Sequence, residues 1–417
     1  MPRFWGKLAR IKDALEKAVN TIKLDVNIVE ESIWHATGLI LARDLYSPMD
    51  LPRFNRSAVD GYAVRSIDVA GASPTNPVVL KCKGIIETGD PPDKYGIISP
   101  GEAIEVLTGS PIPPGADAVV MYEDTVRKED EIHILRPVSP WTNITRQGED
   151  IGKNQLMFRK GTILKPWHLA LASAVGLSKL PVYERVQVGV VSIGSELVEP
   201  GKPLYGGKIY LSTDVMVKQL IEQLGFTTTK YYGIVPDDLD RVSKAISKAL
   251  AENHIVVTIG GTSVSDKDLI PMLVERRGKW IIRGIALRPG RTTGVAVIDK
   301  KPLFTLSGNP IAAWVGFEAF MKPLLHLWLG AQPEPYPAIR ARLSRRIVNP
   351  VGYRSYVRVL VRKEYNTYYV EPYRVKGSSI ISSLARTHGF IVVEEDLEGI
   401  EAGEEVEVFL LNPSNIV

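Results

Sequence analysis

The chain has 417 residues, of which 45% are hydrophobic and 24% are charged, and these proportions exclude disordered and fibrous proteins. Since a domain usually spans about 100–200 residues, this length predicts two to four domains. The net charge of +4, with both signs interspersed, argues against a large nucleic-acid interface. The single cysteine, Cys82, excludes an intrachain disulfide, and the six scattered histidines show no zinc-ligand spacing.

The first predicted element is a helix, because Leu8, Ile11, Leu15 and Val19 recur at helical spacing. The same segment is amphipathic and charged, without an apolar signal core. We therefore expect a cytoplasmic protein.

From about residue 46 the pattern changes to short β-type runs separated by proline and glycine, which predicts a β region that extends to residue 145. A helical pattern returns at residues 167–180. We predict that residues 1–45 and 146–183 form one discontinuous helical domain, into which a β domain of residues 46–145 is inserted.

Strands and helices alternate from residue 184 to residue 329, which is typical of a mostly parallel sheet covered by helices on both faces. The apolar stretch 310–330 contains Glu318 and Lys322, so it predicts a buried helix and not a membrane span. After a proline-rich linker, alternating strands predict a small β domain over residues 335–417. The predicted fold class is therefore multidomain α/β plus β, around a central three-layer α/β domain.

Ligands of an open parallel sheet bind outside the carboxyl ends of its strands. Four glycine-rich segments should meet there, at residues 192–196, 259–268, 288–291 and 306–310. A helix that begins near residue 237 can contribute a further acid. The candidate site residues from these segments are Glu196, Asp237, Gly260, Gly261, Ser263, Asp266, Asp268, Arg288, Arg291, Gly308, Asn309 and Pro310.

These residue types predict a phosphorylated ligand held with a hard divalent cation. Glycine lets the backbone approach a phosphate, and the helix start at Asn309 offers free N–H groups and a favourable dipole. Mg²⁺ keeps several water ligands and needs only one or two carboxylates, for which Glu196, Asp266 and Asp268 are the candidates. Each loop alone is compatible with an ordinary turn, and Asp237 is more typical of a helix cap. It is the four loops together that favour a site.

Two further groups of polar residues are open to both interpretations. Ser57, Asp60 and Thr108 interrupt apolar surroundings in the β region, where hairpin turns alone would also explain them. Arg354 and Ser378 in the last domain either line a site or simply solvate an exposed face.

The chain resembles the MoeA family of molybdopterin molybdenumtransferases, whose animal homologue is the C-terminal part of gephyrin. The resemblance covers nearly the whole chain and rests on seven segments in the family's order: SAVDGYAV, TGSPIPPGADAVVMYED, GEDI, SIGSEL, GGTSVSDKD, RPGR and SGNP. It implies a discontinuous helical domain, an inserted β domain, a molybdopterin-binding α/β domain and a C-terminal β-barrel.

The resemblance also implies an activity and its partners. The family uses Mg²⁺, adenylylated molybdopterin and molybdate or tungstate, releases AMP and gives the molybdenum cofactor. The implied assembly is a homodimer with an active site shared between the subunits, and it involves neither nucleic acid nor a membrane. Molybdopterin adenylyltransferase and chaperones of molybdoenzymes are the further partners to be expected.

Carried over by motif, the family's functional residues fall on matching positions of this chain. Arg288 and Arg291 stand where the family usually has lysines, which keeps the positive charge and changes its geometry. Thr108, Arg354 and Ser378 match polar substrate contacts. The implied functional acids are Asp60, Asp150, Glu196, Asp237 and Asp268.

Two acids of the family pattern are replaced here. Ser195 stands at the aspartate of the family's T-G-D-E-L loop, and Leu211 stands at the aspartate of its D-[TS]-N motif. Glu196 remains. The replacements leave open which acids hold Mg²⁺ and which oxyanion is inserted.

Our hypothesis assigns Mg²⁺ to Glu196, Asp266 or Asp268, where it would offset charge on the AMP leaving group. Arg288, Arg291 and the helix start at Asn309 would bind the pterin phosphate or the oxyanion. Asp60 of the neighbouring subunit would position the substrate or the attacking water.

Two rival functions have support from the sequence. One is molybdopterin adenylyltransferase, which the α/β domain alone also resembles. The other is a non-catalytic dimeric scaffold of the same fold, which could lose acids without cost.

Overall fold

A computed structural model describes residues 8–261, 269–373 and 377–416. The described chain forms two compact units. The larger unit holds residues 8–43, 160–165 and 180–416, and the smaller unit holds residues 44–159 and 166–179. Among the described helices, none is long and apolar enough to cross a membrane.

The N-terminal region is largely β, so the prediction of a helical N-terminal domain is wrong. Its described helices are α1 (Ile11–Thr21) and α2 (Pro166–Ala174), with 3₁₀ turns at Ser66–Val69 and Tyr122–Asp124. Its strands are β1 (Ile28–Ser32), β2 (Leu45–Tyr46), β3 (Arg56–Ser57), β4 (Gly61–Val64), β5 (Val78–Ile86), β6 (Glu102–Val106), β7 (Ala118–Met121), β8 (Thr125–Lys128), β9 (Glu131–Ile134), β10 (Ile144–Thr145), β11 (Leu156–Phe158) and β12 (Lys179–Tyr183).

The helical pattern predicted over residues 167–180 ends early for a local reason. Gly176 adopts φ +83°, a left-handed conformation that commonly terminates a helix. The chain then extends into β12, which pairs with β1. Backbone bridges from Ile40 to Ile163 and from Leu41 to Val182 hold the neighbouring segment extended as well.

The smaller unit is built on a six-stranded sheet with the order β7-β4-β6-β5-β9-β8. The β5–β6 pair is parallel, and the other neighbours are antiparallel. Successive residues of β4 enter different hydrophobic clusters: Tyr62 and Val64 pack in one, and Ala63 packs in the other. Both faces of this sheet are therefore covered, as side-chain alternation along a strand allows.

The larger unit contains a mixed, mostly parallel central sheet with the order β16-β13-β17-β21-β20-β18. The strands of this region are β13 (Val186–Ile193), β14 (Leu197–Val198), β15 (Ile209–Tyr210), β16 (Thr227–Val235), β17 (Ile255–Ile259), β18 (Gly278–Arg283), β19 (Leu287–Arg288), β20 (Gly294–Ile298) and β21 (Lys301–Leu306). The helices are α3 (Thr213–Glu222), α4 (Leu239–Glu252), α5 (Leu269–Arg277) and α6 (Pro310–Gly316), which continues through a π-helical turn (Phe317–Met321) into α7 (Lys322–Trp328).

Helices cover both faces of the central sheet. Val191 and Ile193 of β13 pack in one hydrophobic core with residues of α4 and α5. Ser192, which points to the opposite face, bonds to Asp214 of α3. The predicted mostly parallel α/β sheet with helices on both faces is confirmed.

The order of the strands creates a crevice at the carboxyl end of β13. The next strand of this sheet along the chain, β16, lies on one side of β13, and the sheet's following strand, β17, lies on the other. Such a reversal separates the loops on either side and is where ligands of open α/β sheets bind.

The C-terminal part forms a closed five-stranded barrel, as predicted. Strands β24-β25-β22-β28-β26 follow one another, and β26 pairs back to β24. Strand β19 pairs in parallel with β24, and this pairing places Leu287 opposite Arg354. The elements are β22 (Ala338–Leu343), β23 (Ile347–Val348), β24 (Arg354–Glu364), β25 (Thr367–Pro372), α8 (Ser382–Arg386), β26 (Gly389–Val393), β27 (Gly399–Ile400), β28 (Glu405–Leu410) and a 3₁₀ turn at Pro413–Asn415.

We expect the substitution Leu303→Ala to destabilise the larger unit strongly. Leu303 is fully buried on β21, opposite Val256 and Ala296 of the two adjoining strands. Removing its side chain should lower the free energy of unfolding by about 2–5 kcal/mol, measured by chemical denaturation. Leu397→Ala is the matched control: Leu397 is 47% exposed, and its loss should cost less than about 0.5 kcal/mol. Equal effects of the two substitutions would contradict the placement of Leu303 in the core.

Candidate active site

The backbones of two strand ends come into close contact at the crevice. Gly260, directly after β17, has φ +85°, and a Cβ on it would lie 2.3 Å from the Ile193 carbonyl oxygen at the end of β13. Only glycine fits such an approach. A Cβ on Gly308, after β21, would lie 3.7 Å from the Gly260 Cα atom. Three strand ends therefore meet here without side chains between them.

Ser195 and Asp237 join the loops after β13 and β16 through two reciprocal hydrogen bonds. The Ser195 N–H donates to the Asp237 carboxylate over 2.7 Å, and the Asp237 N–H donates to the Ser195 hydroxyl over 2.9 Å. The helix-cap interpretation of Asp237 is wrong, because Asp238 is the N-cap of α4 and accepts from the Arg241 N–H over 2.8 Å. Asp237 is thereby free to bind the neighbouring loop.

Glu196 is exposed at the mouth of the crevice. Its carboxylate folds back over its own loop, so that a Cβ on Gly194 would lie 2.7 Å from Glu196 Oε2. The backbone carbonyl of Glu196 accepts from the Ile209 N–H over 2.9 Å, which ties this loop to β15.

Asp214 is a buried acid in the first turn of α3, only 4% exposed. It accepts a short hydrogen bond from the Ser192 hydroxyl. The Ser192 hydroxyl also lies 3.0 Å from the Tyr231 hydroxyl. Since the Ser192 hydrogen points to Asp214, Tyr231 donates to Ser192. Burial raises the pKa of Asp214, and the negative charge of Glu196 raises it further.

These residues surround a cavity of about 710 Å³, here called the acidic cavity. Among the described residues, its carboxyl groups come from Glu196, Asp214 and Asp237. The glycine loops and the start of α6 supply other parts of its wall, as predicted: Gly260, Gly261, Gly308, Asn309 and Pro310.

A second cavity of about 560 Å³, here called the basic cavity, adjoins the first. Arg288, Arg291 and Ser378 line it. Both arginines are exposed, and neither guanidinium forms an ion pair with a described carboxylate. The two cavities share a wall of neutral polar residues: Thr292, Ser307 and Asn309.

The start of α6 differs from the prediction in one respect. Asn309 is the N-cap and Pro310 the first helical residue, as expected. However, the Asn309 N–H donates to the Ser307 hydroxyl over 3.1 Å, and the Ile311 N–H donates to the Ser378 carbonyl over 2.9 Å. These N–H groups are already occupied, so the two arginines supply the positive charge for an anion.

Arg354 lies outside both cavities. It lines a third cavity of about 520 Å³ beside Tyr336 and Phe390, and its guanidinium pairs with Glu394 over 3.0 Å. Its link to the basic cavity is through the backbone, because the Arg354 N–H donates to the Ala286 carbonyl over 2.8 Å. A direct role of Arg354 in substrate binding stays a prediction.

The smaller unit brings Ser57, Asp60 and Thr108 together. Asp60 Oδ1 accepts from the Thr108 N–H over 2.6 Å and from the Thr108 hydroxyl over 2.8 Å, and these bonds lower the pKa of Asp60. The Ser57 carbonyl accepts from the Gly109 N–H over 2.8 Å in the same turn. Asp150 is exposed on a different turn of this unit, where its N–H donates to the Leu51 carbonyl over 3.0 Å.

Ser263, Asp266 and Asp268 lie outside the described residues. Among the described residues, no cluster of three or more His, Cys, Asp or Glu side chains could hold a metal ion. A magnesium ion bound to phosphates needs fewer protein ligands, since water and phosphate oxygens complete its shell. The exposed carboxylate of Glu196 in the acidic cavity fits that requirement.

The sequence reasoning missed Asp214, Thr292 and Ser307. An acid was sought at position 211, where Leu211 stands, although Asp214 follows three residues later. An acid close behind the replaced position is therefore the sequence signal for Asp214. Thr292 and Ser307 carry no such signal, because their role depends on the meeting of two cavities.

Three family models match the chain in succession. Residues 9–176 match "MoeA N-terminal region (domain I and II)". Residues 189–327 match "Probable molybdopterin binding domain", and residues 340–411 match "MoeA C-terminal region (domain IV)".

Full-length relatives agree with these matches. The chain is 33% identical to a molybdopterin molybdenumtransferase of Staphylococcus aureus over 96% of this chain and 95% of the relative. It is 35% identical to a molybdopterin molybdenumtransferase of Bacillus subtilis over 90% of this chain and 88% of the relative. The crystal structure of a molybdopterin biosynthesis MoeA protein from Pyrococcus horikoshii superposes with a TM-score of 0.81 at 32% identity, covering 97% of this chain and all of that one, 100%.

The raised pKa of Asp214 predicts how stability depends on pH. In the unfolded chain this carboxyl ionises near its ordinary value of 3.8, whereas in the folded chain it keeps its proton to higher pH. Its contribution to stability is therefore fully present below pH 3.8 and is lost as pH rises through the raised value. We expect the melting temperature of the wild type to fall relative to that of Asp214→Asn over this interval.

The control for this measurement is Asp240→Asn, since Asp240 is exposed on the first turn of α4. The difference in melting temperature between Asp240→Asn and the wild type should be the same at every pH. A constant difference between the wild type and Asp214→Asn at every pH would contradict the raised pKa.

Proposed function

The chain belongs to the MoeA family of molybdopterin molybdenumtransferases, and on this basis we propose that it inserts molybdate or tungstate into adenylylated molybdopterin. In this reaction water adds to the phosphoanhydride, the bond between the two phosphates breaks, and AMP leaves. Two metal–sulfur bonds form at the dithiolene, and one oxygen of the oxyanion leaves as water. The product is the metal-loaded pterin cofactor.

The observation that carries this proposal is the pair of adjoining cavities with opposite charge. A ligand with two ring systems joined by a pyrophosphate needs two compartments connected at the phosphates. The acidic cavity and the basic cavity meet at Thr292, Ser307 and Asn309, so their shared wall suits the pyrophosphate. The guanidinium groups of Arg288 and Arg291, which pair with no described carboxylate, provide charge-assisted hydrogen bonds for a terminal phosphate or an oxyanion.

Magnesium would be held in the acidic cavity by Glu196, together with the predicted ligands Asp266 and Asp268. When bound, it would neutralise charge on the pyrophosphate and on the departing AMP. The hydrogen bonds between Ser195 and Asp237 keep the loop that carries Glu196 in place. Asp214 lines the same cavity, and burial raises its pKa above the ordinary value.

We further propose that the active form is a homodimer in which the partner supplies Asp60, Thr108 and Asp150. Within this chain, Thr108 donates two hydrogen bonds to Asp60 and so keeps its carboxylate ionised and oriented. An ionised, oriented carboxylate can position the attacking water or the substrate. Molybdopterin adenylyltransferase is the expected supplier of the substrate, and chaperones of molybdoenzymes are the expected recipients of the product.

The substitution Glu196→Gln should reduce AMP release by about 100-fold or more at fixed magnesium, because it removes a metal ligand. Binding of the pterin should change less than about twofold, since the pterin is assigned to the basic cavity. AMP is measured by chromatography, and pterin binding by fluorescence. Raising the magnesium concentration should partly restore the rate.

The matched control is Glu199→Gln, because Glu199 pairs with Lys202 over 2.5 Å and, among the described residues, with no other cation. It should behave like the wild type. A folded Glu196→Gln variant that lost pterin binding as strongly as AMP release would contradict the metal role. Parallel assays with molybdate and tungstate identify the oxyanion, and consumption of ATP in place of the adenylylated pterin would indicate an adenylyltransferase.

Mixing two inactive variants tests the shared active site. In the proposed dimer, each site takes Glu196 from one subunit and Asp60 from the other. A dimer of one Asp60→Asn chain and one Glu196→Gln chain would therefore contain one intact site and one site with both substitutions. Random exchange of subunits should then restore about a quarter of the wild-type rate. No recovery after subunit exchange, confirmed by mass spectrometry, would mean that each chain works with its own Asp60, and an Asp60→Asn variant that is active by itself would mean that Asp60 has no role.

A further inference from the structure

An exposed apolar segment borders the acidic cavity. Residues 197–210, here called the strap, leave the sheet region through β14 and return through β15, which pair with each other in parallel. Leu204, Tyr205, Ile209 and Tyr210 are all exposed large hydrophobic residues of the strap. Such a concentration of exposed apolar side chains usually marks a binding surface.

The strap is held in place by the loop that carries Glu196. The Ile209 N–H donates to the Glu196 carbonyl over 2.9 Å, and the Leu211 N–H donates to the Val198 carbonyl over 3.0 Å. The Lys208 ammonium donates to the Ser195 carbonyl. Any ligand bound beside Glu196 therefore meets the strap in one defined position.

Tyr210 is the aromatic residue of the strap that reaches the cavity. It lines the acidic cavity together with Leu197 and Ile209, although the ring is 44% exposed. The Tyr210 hydroxyl donates to the Lys202 carbonyl over 2.8 Å, which restricts rotation of the ring. Tyr205, also on the strap and 76% exposed, is not among the residues that line this cavity.

The two parts of the cavity wall differ in chemistry. One part carries carboxyl groups and glycine backbone, which suits a metal-bound phosphate. The other part, at Leu197, Ile209 and Tyr210, is apolar and aromatic. A phosphate with an attached aromatic heterocycle matches both parts, because bases bind by stacking on aromatic side chains.

We propose that Tyr210, with Leu197 and Ile209, forms the nucleobase subsite that binds the adenine ring of the adenylylated pterin and of released AMP. This assignment rests on the proposed function for the identity of the nucleotide. It orients the substrate: the nucleotide half occupies the acidic cavity, the pyrophosphate crosses at Asn309, and the pterin half enters the basic cavity with Arg288 and Arg291.

The test compares AMP with ribose 5-phosphate, which keeps the phosphate and sugar but has no base. Tyr210→Ala should weaken AMP binding by about 5- to 150-fold, measured by calorimetry with magnesium present. Ribose 5-phosphate binding should be unchanged by this substitution. Tyr210→Phe keeps the ring and should bind AMP within about threefold of the wild type, because stacking does not require the hydroxyl.

Tyr205→Ala is the matched control on the same strap and should leave AMP affinity and AMP release unchanged. The melting temperature of each variant verifies that the protein is folded. The proposal is wrong if Tyr210→Ala weakens AMP and ribose 5-phosphate equally, since Tyr210 would then act by shaping the loop of Glu196. The proposal is also wrong if Tyr210→Ala and Tyr205→Ala each convert a dimer to a monomer and each lose AMP binding. The strap would then be a subunit interface.

Failure of this inference can be told apart from failure of the proposed function. If the wild type releases AMP from adenylylated pterin but Tyr210→Ala binds AMP normally, only the nucleobase subsite is wrong. If the wild type binds AMP through Tyr210 but never releases AMP from the pterin, the subsite holds and the transferase function is wrong. A wild type that binds no AMP overturns the subsite directly.

Discussion

The contact between Gly260 and the Ile193 carbonyl oxygen is the constraint on which both cavities depend. A side chain at this position would begin 2.3 Å from that oxygen, so any other residue would push the ends of β13 and β17 apart. Strand β17 also pairs with β21, which leads to Ser307 and Asn309. A displacement of β17 would therefore move the wall that the two cavities share away from the loop of Glu196. One glycine thus sets the distance between the acid and the arginines.

Separation of opposite charges keeps these groups available to a ligand. If Arg288 or Arg291 faced Glu196 or Asp237 across a single cavity, the side chains would pair with each other and a ligand would have to break that pair. Arg354 illustrates the alternative, since it lies beside Glu394 and its guanidinium is already engaged. In the site itself, the neutral wall of Thr292, Ser307 and Asn309 keeps the two charges in different compartments.

Sequence patterns predicted the parts of the molecule that depend on the periodicity of apolar residues and on the position of the carboxyl ends of the strands. Alternating strands and helices located the central sheet, and the carboxyl-end rule brought Glu196, Gly260 and Asn309 to one crevice. The patterns failed where two adjacent residues could fill the same role. Asp238, and not Asp237, caps α4, so the Asp237 carboxylate accepts from the Ser195 N–H instead. They failed also in the N-terminal region, because short bridges between distant segments leave no periodic signal in the sequence. Whether Arg288 and Arg291 pair with the described acids depends on which of those acids lie nearby, and only tertiary structure determines that.

Ser195 and Leu211, which stand where the family pattern has acids, change the charge of the acidic cavity more than the hydrogen bonds that hold its loops together. Ser195 loses a carboxylate but still binds Asp237 through both its N–H and its hydroxyl, so the loop keeps its position. Leu211 is buried, and Asp214, three residues further in the first turn of α3, contributes a carboxyl group to the cavity. Burial raises the pKa of Asp214, so this carboxyl keeps its proton to higher pH than an ordinary aspartate does. The carboxylate lost at Ser195 lowers the repulsion that a pyrophosphate meets on entry, and the loop contacts that are kept suit a cavity for a phosphorylated ligand.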